Sequence, residues 1–139
     1  METALALPLM AFTLLGGADM ARAFAIQLAV QNGARAGAEA TALDITPTGT
    51  EATANAQQEM DRTPGMSAVA STIGVTFTRA DGATACTGAA STAVAGTSTI
   101  AIPCYVRVRV QYSFSTLVPW PGLPHTFNFD RVTMFRRYQ

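Results

Sequence analysis

The sequence has few charged residues and a single histidine, and each shortage argues against a class of function. Only 13% of its 139 residues are charged, against about 25% in an average soluble domain. Nine basic residues balance nine acidic ones, so no net field attracts nucleic acid. A Ser-His-Asp triad would have to use His125, whose Pro- and Gly-rich flank gives no sign of one.

Sequence motifs that bind phosphate or metal are also missing. There is no Gly-rich phosphate loop, no CxxC pair and no His-x-x-x-His spacing. We therefore expect no catalytic residue, no metal, no cofactor, no small-molecule substrate and no nucleic-acid partner. The chain is expected not to be an enzyme.

The two cysteines, Cys86 and Cys104, fall in the part of the chain expected to lie outside a membrane. An even count in an exported domain favours a disulfide, because a metal site would need further Cys or His ligands. We predict a Cys86–Cys104 bond that closes the loop between two strands.

The N-terminal segment is the most informative part of the chain. Residues 3–18 carry no charge, but this run alone is shorter than the ~20 residues that cross a bilayer. Continuing past Asp19 and Arg22 gives a sufficient length with a charge pair inside, and residues three apart share a helix face. A signal peptide would need a basic region before its apolar core. Glu2 stands there instead, which favours a retained membrane helix over the two alternatives, a cleaved signal peptide and a buried core helix.

Helical character continues to about Leu43, since alanine, the strongest helix former, dominates the segment. A helix from Glu2 to Leu43 would be about 60 Å long, which suits a fibre core better than a small globule. Gly33 and Gly37 are spaced to let another backbone approach closely. Pro8 predicts a kink or local loosening, which neighbouring helices can absorb in an apolar segment.

Residues 44–139 are predicted to form a β-rich head. Thr48 and Glu51 have capping-box spacing, and the alternation over residues 73–78 is typical of a half-buried strand. The predicted elements are a helix from Glu51 to about Arg62, a strand over 73–78, a hairpin turn at Asp81–Gly82 returning to Thr87, a strand over 106–114 and a last strand over about 126–137. The fold class is α+β, with a long hydrophobic helix (1–43) packed on a small antiparallel sheet.

The strand over 106–114 is expected to have one buried and one solvated face. Its outward pair, Arg107 and Arg109, fits either a ligand site or, more commonly, a solvated strand face. Residues 119–124 are proline-rich and predict a stiff connector. Three phenylalanines of the last strand are expected to pack against the long helix: Phe127, Phe129 and Phe135.

A series of residues at the N-terminus carries a resemblance to a known family. An acid is followed by a proline, an apolar run, a second acid and an arginine, and then an Asn-x-Ala-Arg-Ala-Gly-Ala stretch. The positions are Glu2, Pro8, Asp19, Arg22, Asn32, Ala34, Arg35, Ala36, Gly37 and Ala38. This pattern resembles the TadE-like pilins, minor pilins or pseudopilins of tight-adherence systems. The resemblance is close over about the first 43 residues and loose beyond them.

The resemblance implies a pilin-like structural subunit of an extracellular type IV pilus-like filament. Such a chain sits in the inner membrane before assembly, then polymerises at the cell surface through its N-terminal helix with copies of itself or other pilins. The residues implied in assembly are Glu2, Pro8, Asp19 and Arg22. In this family a peptidase cuts after a glycine, leaving the acid as the fifth residue. Here it is residue 2, so either a few residues precede Met1 or processing differs.

The resemblance also gives Glu2 a role. A carboxylate in hydrocarbon is costly unless it has a partner, and in such fibres the partner is the N-terminal ammonium of the next subunit. The alternative is a frayed acid at the membrane surface. We further expect residues from about 3 to 30 to pack against neighbouring subunits, so that removing residues 1–30 leaves a soluble head. The alternative function is a monomeric membrane-anchored extracellular module for binding or adhesion.

Overall fold

A computed structural model describes residues 2–43, 48–86, 103–119 and 122–137. The expected α+β fold class is confirmed, because a long N-terminal apolar helix packs on a small antiparallel sheet. Part of the proline-rich connector predicted over 119–124 lies outside the described residues. The elements are α1 (Glu2–Leu43), α2 (Gly49–Met60), a short 3₁₀ helix (Ala68–Ala70), β1 (Thr72–Thr78), β2 (Tyr105–Ser115) and β3 (Thr126–Arg136).

The sheet has three antiparallel strands in the order β1-β2-β3, with β2 in the centre. Its alternation follows the prediction, since Val106, Val108 and Val110 are fully buried while Arg109 and Gln111 between and beyond them are exposed. One face of the sheet therefore belongs to the core and the other to solvent.

The hairpin expected after β1 is only partly present. Gly82 adopts a positive φ of 70° in the turn, a conformation that suits glycine. Beyond it, the described return consists of a single bridge between Thr78 and Ala85, and Thr87 lies outside the described residues. β1 pairs with β2 instead, because the longer strand β2 lies opposite all seven residues of β1, from Thr72 to Thr78.

Helix α2 begins at the capping box expected from its sequence. The Glu51 backbone N–H donates to Thr48 Oγ1 at 3.2 Å, and the Thr48 N–H donates to Glu51 Oε2 at 3.2 Å. The helix ends at Met60, two residues before the expected end, with Asp61 as its C-cap. Its buried residues recur every fourth position, at Ala52, Ala56 and Met60, and this stripe packs on α1.

The second half of α1 forms part of the head's own core. Its buried positions include Ile26 and Val30, which join the valines of β2 in one cluster. Ala34, Ala38 and Ala42 continue the same stripe at four-residue steps. The surface predicted to pack against other subunits, up to about residue 30, therefore extends too far along α1. From Ile26 onward α1 contributes side chains to the head's own core. A cut after residue 30 would remove part of the core.

Candidate functional site

The first half of α1 exposes large apolar side chains on all sides. Leu14 is 72% exposed, although full burial of one leucine is worth about 1.5–3 kcal/mol. The helix over Ala6–Leu43 is long and apolar enough to cross a membrane, and only 11% of its most apolar stretch is buried. Other exposed apolar residues of this half include Leu7, Leu9, Met10 and Leu15.

Asp19 marks the point where this apolar half meets the head. Asp19 is only 4% exposed, and its carboxylate accepts hydrogen bonds from the backbone N–H of Leu117 at 3.1 and 3.2 Å and of Val118 at 3.3 Å. Ionised acceptors of backbone N–H groups make strong hydrogen bonds. Asp19 thus binds the segment that follows β2 at one position along α1.

Arg22 accompanies Asp19 as its spacing predicted. Its Nη1 lies 3.2 Å from Asp19 Oδ1, and its guanidinium carbon lies 5.2 Å from the centroid of the Phe114 ring. This distance is within cation–π range. The charge pair is therefore joined to the end of β2, and Arg22 fixes the same junction from its head side.

An apolar groove lies beside this junction, between α1 and β3. Its volume is about 450 Å³. Met20 and Phe24 form the helix wall, while Leu123, Phe127 and Phe129 form the opposite wall. The expectation that phenylalanines of the last strand face α1 holds at Phe127 and Phe129. Both are only partly buried, because the groove stays open between the two walls.

The two other residues expected in assembly lie in the apolar half of α1. Pro8 is inside the helix, which continues through it. The backbone at Glu2 is helical. The assembly roles of Glu2, Pro8, Asp19 and Arg22 stay predictions, although the structure does bring the last two together.

The arginine pair on the outer face of β2 has partners from the protein itself. Arg109 makes a bidentate pair with Asp130 of β3, with Nε at 3.0 Å from Oδ1 and 3.1 Å from Oδ2. Hydrogen bonds from Arg109 lower the pKa of Asp130, and Asp130 in turn raises the pKa of Arg109. Arg107 donates to the carbonyl of Gly82 at 3.2 Å. This arrangement fits a solvated strand face better than a ligand site.

The structure joins Cys86 to Cys104 by a disulfide, with 6.0 Å between the Cα atoms. Both cysteines are buried. Cys104 precedes β2, so the bond lies at the opposite end of that strand from Asp19. It therefore closes the far end of the head and takes no part in the junction with α1.

Sequence reasoning missed the head's half of the junction. The backbone groups of Leu117 and Val118 carry no side-chain signature, and nearly one hundred residues separate them from Asp19. Two signals were present nonetheless. An acid inside an apolar helix needs a partner, and the proline-rich segment after β2 offers unpaired N–H groups in place of a regular strand.

Comparison with known proteins identifies one family. Residues 1–39 match the model of the family described as TadE-like protein, which confirms the resemblance seen at the N-terminus. The matched segment covers most of α1 and ends before α2 and the sheet. No curated protein and no solved structure matches the chain.

Proposed function

From an N-terminal segment that matches the TadE-like family, we propose that this chain is a non-catalytic structural subunit, a pilin or pseudopilin of a Tad-like filament. It polymerises through α1 with copies of itself or other pilins. The observation that carries the proposal is the first half of α1, which is apolar on every side and left exposed by the chain's own fold. Exposed apolar surface on this scale marks an interaction site.

The same surface suits two successive environments. Before assembly, lipid covers the apolar half of α1, since its composition matches that of a membrane helix. In the filament, neighbouring helices replace the lipid. Because lipid tails are as apolar as leucine, close packing rather than hydrophobicity drives this exchange. Assembly should therefore depend on the shapes of the side chains of α1, while membrane insertion should depend only on its hydropathy.

In this proposal Glu2 sets the axial register between the α1 helices of neighbouring subunits. Its carboxylate pairs with an amino-terminal group of the next subunit, which offsets the cost of a charge among apolar helices. Replacing Glu2 with Ala should keep the protein in the membrane and the head folded, yet lower its incorporation into fibres. Fibre yield equal to that of the wild type would favour the frayed-acid alternative.

A triple variant separates shape from hydropathy. Leu7, Met10 and Leu14 lie on one helix face at spacings of three and four residues, and all three are exposed. Changing all three to Ala keeps a strong helix former at each position while removing the side chains that pack. The matched control is Val69→Ala, since Val69 is 85% exposed but lies on the head.

The measurements are the amount of chain in carbonate-washed membranes and in sheared surface fibres. The proposal predicts that the triple variant stays in membranes but falls in fibres by at least about tenfold, the effect of roughly 1.4 kcal/mol. The Val69 control should match the wild type in both fractions. Wild-type chain found only in membranes would favour the alternative, a monomeric membrane-anchored binding module.

A further inference from the structure

The segment that leaves β2 is held at a fixed level of α1. Its first two residues, Leu117 and Val118, donate their backbone N–H groups to the buried carboxylate of Asp19. The segment continues through Pro119 and, after two residues outside the described chain, through Gly122 to Pro124. We call residues 117–119 and 122–124 the connector.

The position of Asp19 along α1 determines how deep the connector lies if α1 enters a bilayer. The uncharged run of α1 ends at Ala18, and Asp19 and Arg22 are the first charged residues after it. Apolar residues prefer the hydrocarbon, while charged ones prefer its boundary or beyond. If the uncharged run is the part of α1 that lies in the hydrocarbon, the bilayer thins locally to match its short length. Asp19 then lies at the boundary between hydrocarbon and headgroups, and the connector lies at the same depth.

The connector presents apolar side chains to its surroundings at this level. Leu117 is 67% exposed and Leu123 is 57% exposed. The surroundings of Leu123 are mainly apolar, because it shares the groove with Gly16 and Met20 of α1. The groove thus joins the apolar first half of α1 to Leu123 of the connector.

We infer that the connector docks on the outer boundary of the lipid bilayer before assembly, with Leu117 and Leu123 inserted among the acyl chains beneath the headgroups. The inference rests on the membrane stage of the proposed function and adds a second lipid contact to α1. Three observations carry it: the hydrogen bonds that fix the connector to Asp19, the end of the uncharged run at that level, and the exposure of both leucines.

A second lipid contact has a consequence for the head. One helix in a bilayer leaves the attached domain free to tilt and turn, whereas a second contact beside the helix restricts both motions. The head would then stand in a defined orientation on the membrane. Arg22, half-exposed beside Asp19, lies on the headgroup side of the same boundary, where a cation is favoured near lipid phosphates.

The chain contains a natural fluorescent probe for this contact. It has one tryptophan, Trp120, which lies between Leu117 and Leu123 in the sequence. The full chain is placed in phosphatidylcholine vesicles, and the fluorescence of Trp120 is compared between unbrominated lipid and lipid brominated at a shallow or a deep acyl position. We expect quenching by both, and stronger quenching by the shallow bromine, since the proposal places Leu117 and Leu123, on either side of Trp120 in the sequence, just beneath the headgroups.

A double variant, Leu117→Asn with Leu123→Asn, tests the role of the two side chains. Both are exposed, so the fold should be unchanged, and the backbone bonds to Asp19 do not involve these side chains. We expect shallow-bromine quenching to fall to about half or less of the wild-type value, as removal of two apolar anchors implies. The matched control is Val69→Asn, which changes an exposed apolar residue of the 3₁₀ helix and should leave quenching unchanged.

The outcomes separate this inference from the proposed function. A chain that carbonate extracts from the vesicles would overturn the membrane stage of the proposed function itself. A chain that stays in the vesicles while neither bromine quenches Trp120 would overturn only the connector contact. Unquenched fluorescence together with loss of fibres in the double variant would assign the connector to a neighbouring subunit instead, which also overturns it.

Discussion

Gly37 offers the sharpest test of how the two helices fit together. It lies in α1 where α2 crosses, and a Cβ built on it would be 2.7 Å from the carbonyl oxygen of Ala52 and 3.1 Å from the Cβ of Ala56. The carbonyl belongs to the backbone of α2, so no side-chain rotation can relieve the contact. A Gly37→Ala substitution must push the two helices apart.

The expected magnitude follows from two opposed effects. Overpacking a well-filled interface costs about 1–3 kcal/mol, whereas Gly→Ala inside a helix gains up to about 1 kcal/mol in helix propensity. Because the contact is with backbone that no rotamer change can relieve, we take a cost of about 2–3 kcal/mol, and the net effect is a loss of about 1–2 kcal/mol in the free energy of unfolding. At this chain length each kcal/mol lowers the Tm by roughly 3–5 °C, so we expect the variant to melt several degrees below the wild type.

Two more glycines of α1 give a ranked series. A Cβ on Gly33 would be 2.6 Å from Cγ of Met60, a flexible side chain, and 3.0 Å from the carbonyl oxygen of Ala56. Gly33→Ala should therefore destabilise less than Gly37→Ala. A Cβ on Gly17 would meet nothing within 4 Å, so Gly17→Ala is the control and should not lower the Tm.

Thermal unfolding of the detergent-solubilised full chain, followed by circular dichroism, measures all three variants. The predicted order of Tm is Gly17→Ala at or above the wild type, then Gly33→Ala, then Gly37→Ala. If Gly37→Ala melted at or above the wild type, the gain in helix propensity would dominate. The close crossing of α1 and α2 would then be wrong.

Three other features can be tested on their own. Reducing the Cys86–Cys104 disulfide should lower the free energy of unfolding by roughly 3 kcal/mol in the chain-entropy model of a loop this size; intact mass and urea unfolding check this, and two alkylatable thiols in unreduced protein would contradict it. Because hydrogen bonds from its arginine partner lower the pKa of Asp130, that carboxylate adds stability above its unfolded pKa of about 3.9, and the stability is lost as pH falls through the lowered folded value. Asp130→Asn should therefore flatten the acid side of a plot of urea midpoint against pH, and an unchanged slope would show that the pair contributes nothing. Removing residues 1–18 should leave a soluble monomer with native strands by sedimentation and circular dichroism, whereas removing residues 1–30 should unfold it; a folded head after the longer cut would place the core elsewhere.

Local patterns predicted most of the secondary structure. The alternation of the strand that became β2, the capping box at Thr48 and the alanine-rich run to Leu43 each gave the correct element, since each signal lies within a few residues. The Gly33–Gly37 spacing correctly indicated close backbone approach. Its partner is α2 of the same chain, which a spacing pattern cannot specify.

Long-range pairing was harder to predict. The Asp81–Gly82 turn is real, but β1 pairs with β2, across a disulfide-closed loop whose cysteines are 18 residues apart. The extent of the apolar interface was overestimated for a related reason. Hydropathy shows that Ile26 and Val30 are apolar, but it does not show whether an apolar side chain meets its own sheet or another subunit.

Asp19 shows how one residue can serve both the fold and the proposed filament. Its spacing from Arg22 predicts a charge pair, but only the folded head supplies the backbone donors of Leu117 and Val118. In a filament of identical subunits, the packing of α1 would set the rise and rotation between neighbours. The angle between each head and its own α1 would be set within the subunit. The core that the second half of α1 forms with β2 holds that angle, and a buried carboxylate with three backbone hydrogen bonds and a cation beside it holds it at the membrane-facing end of the head. Every head would then be presented in the same way, so Asp19 can matter for assembly without touching a neighbouring chain.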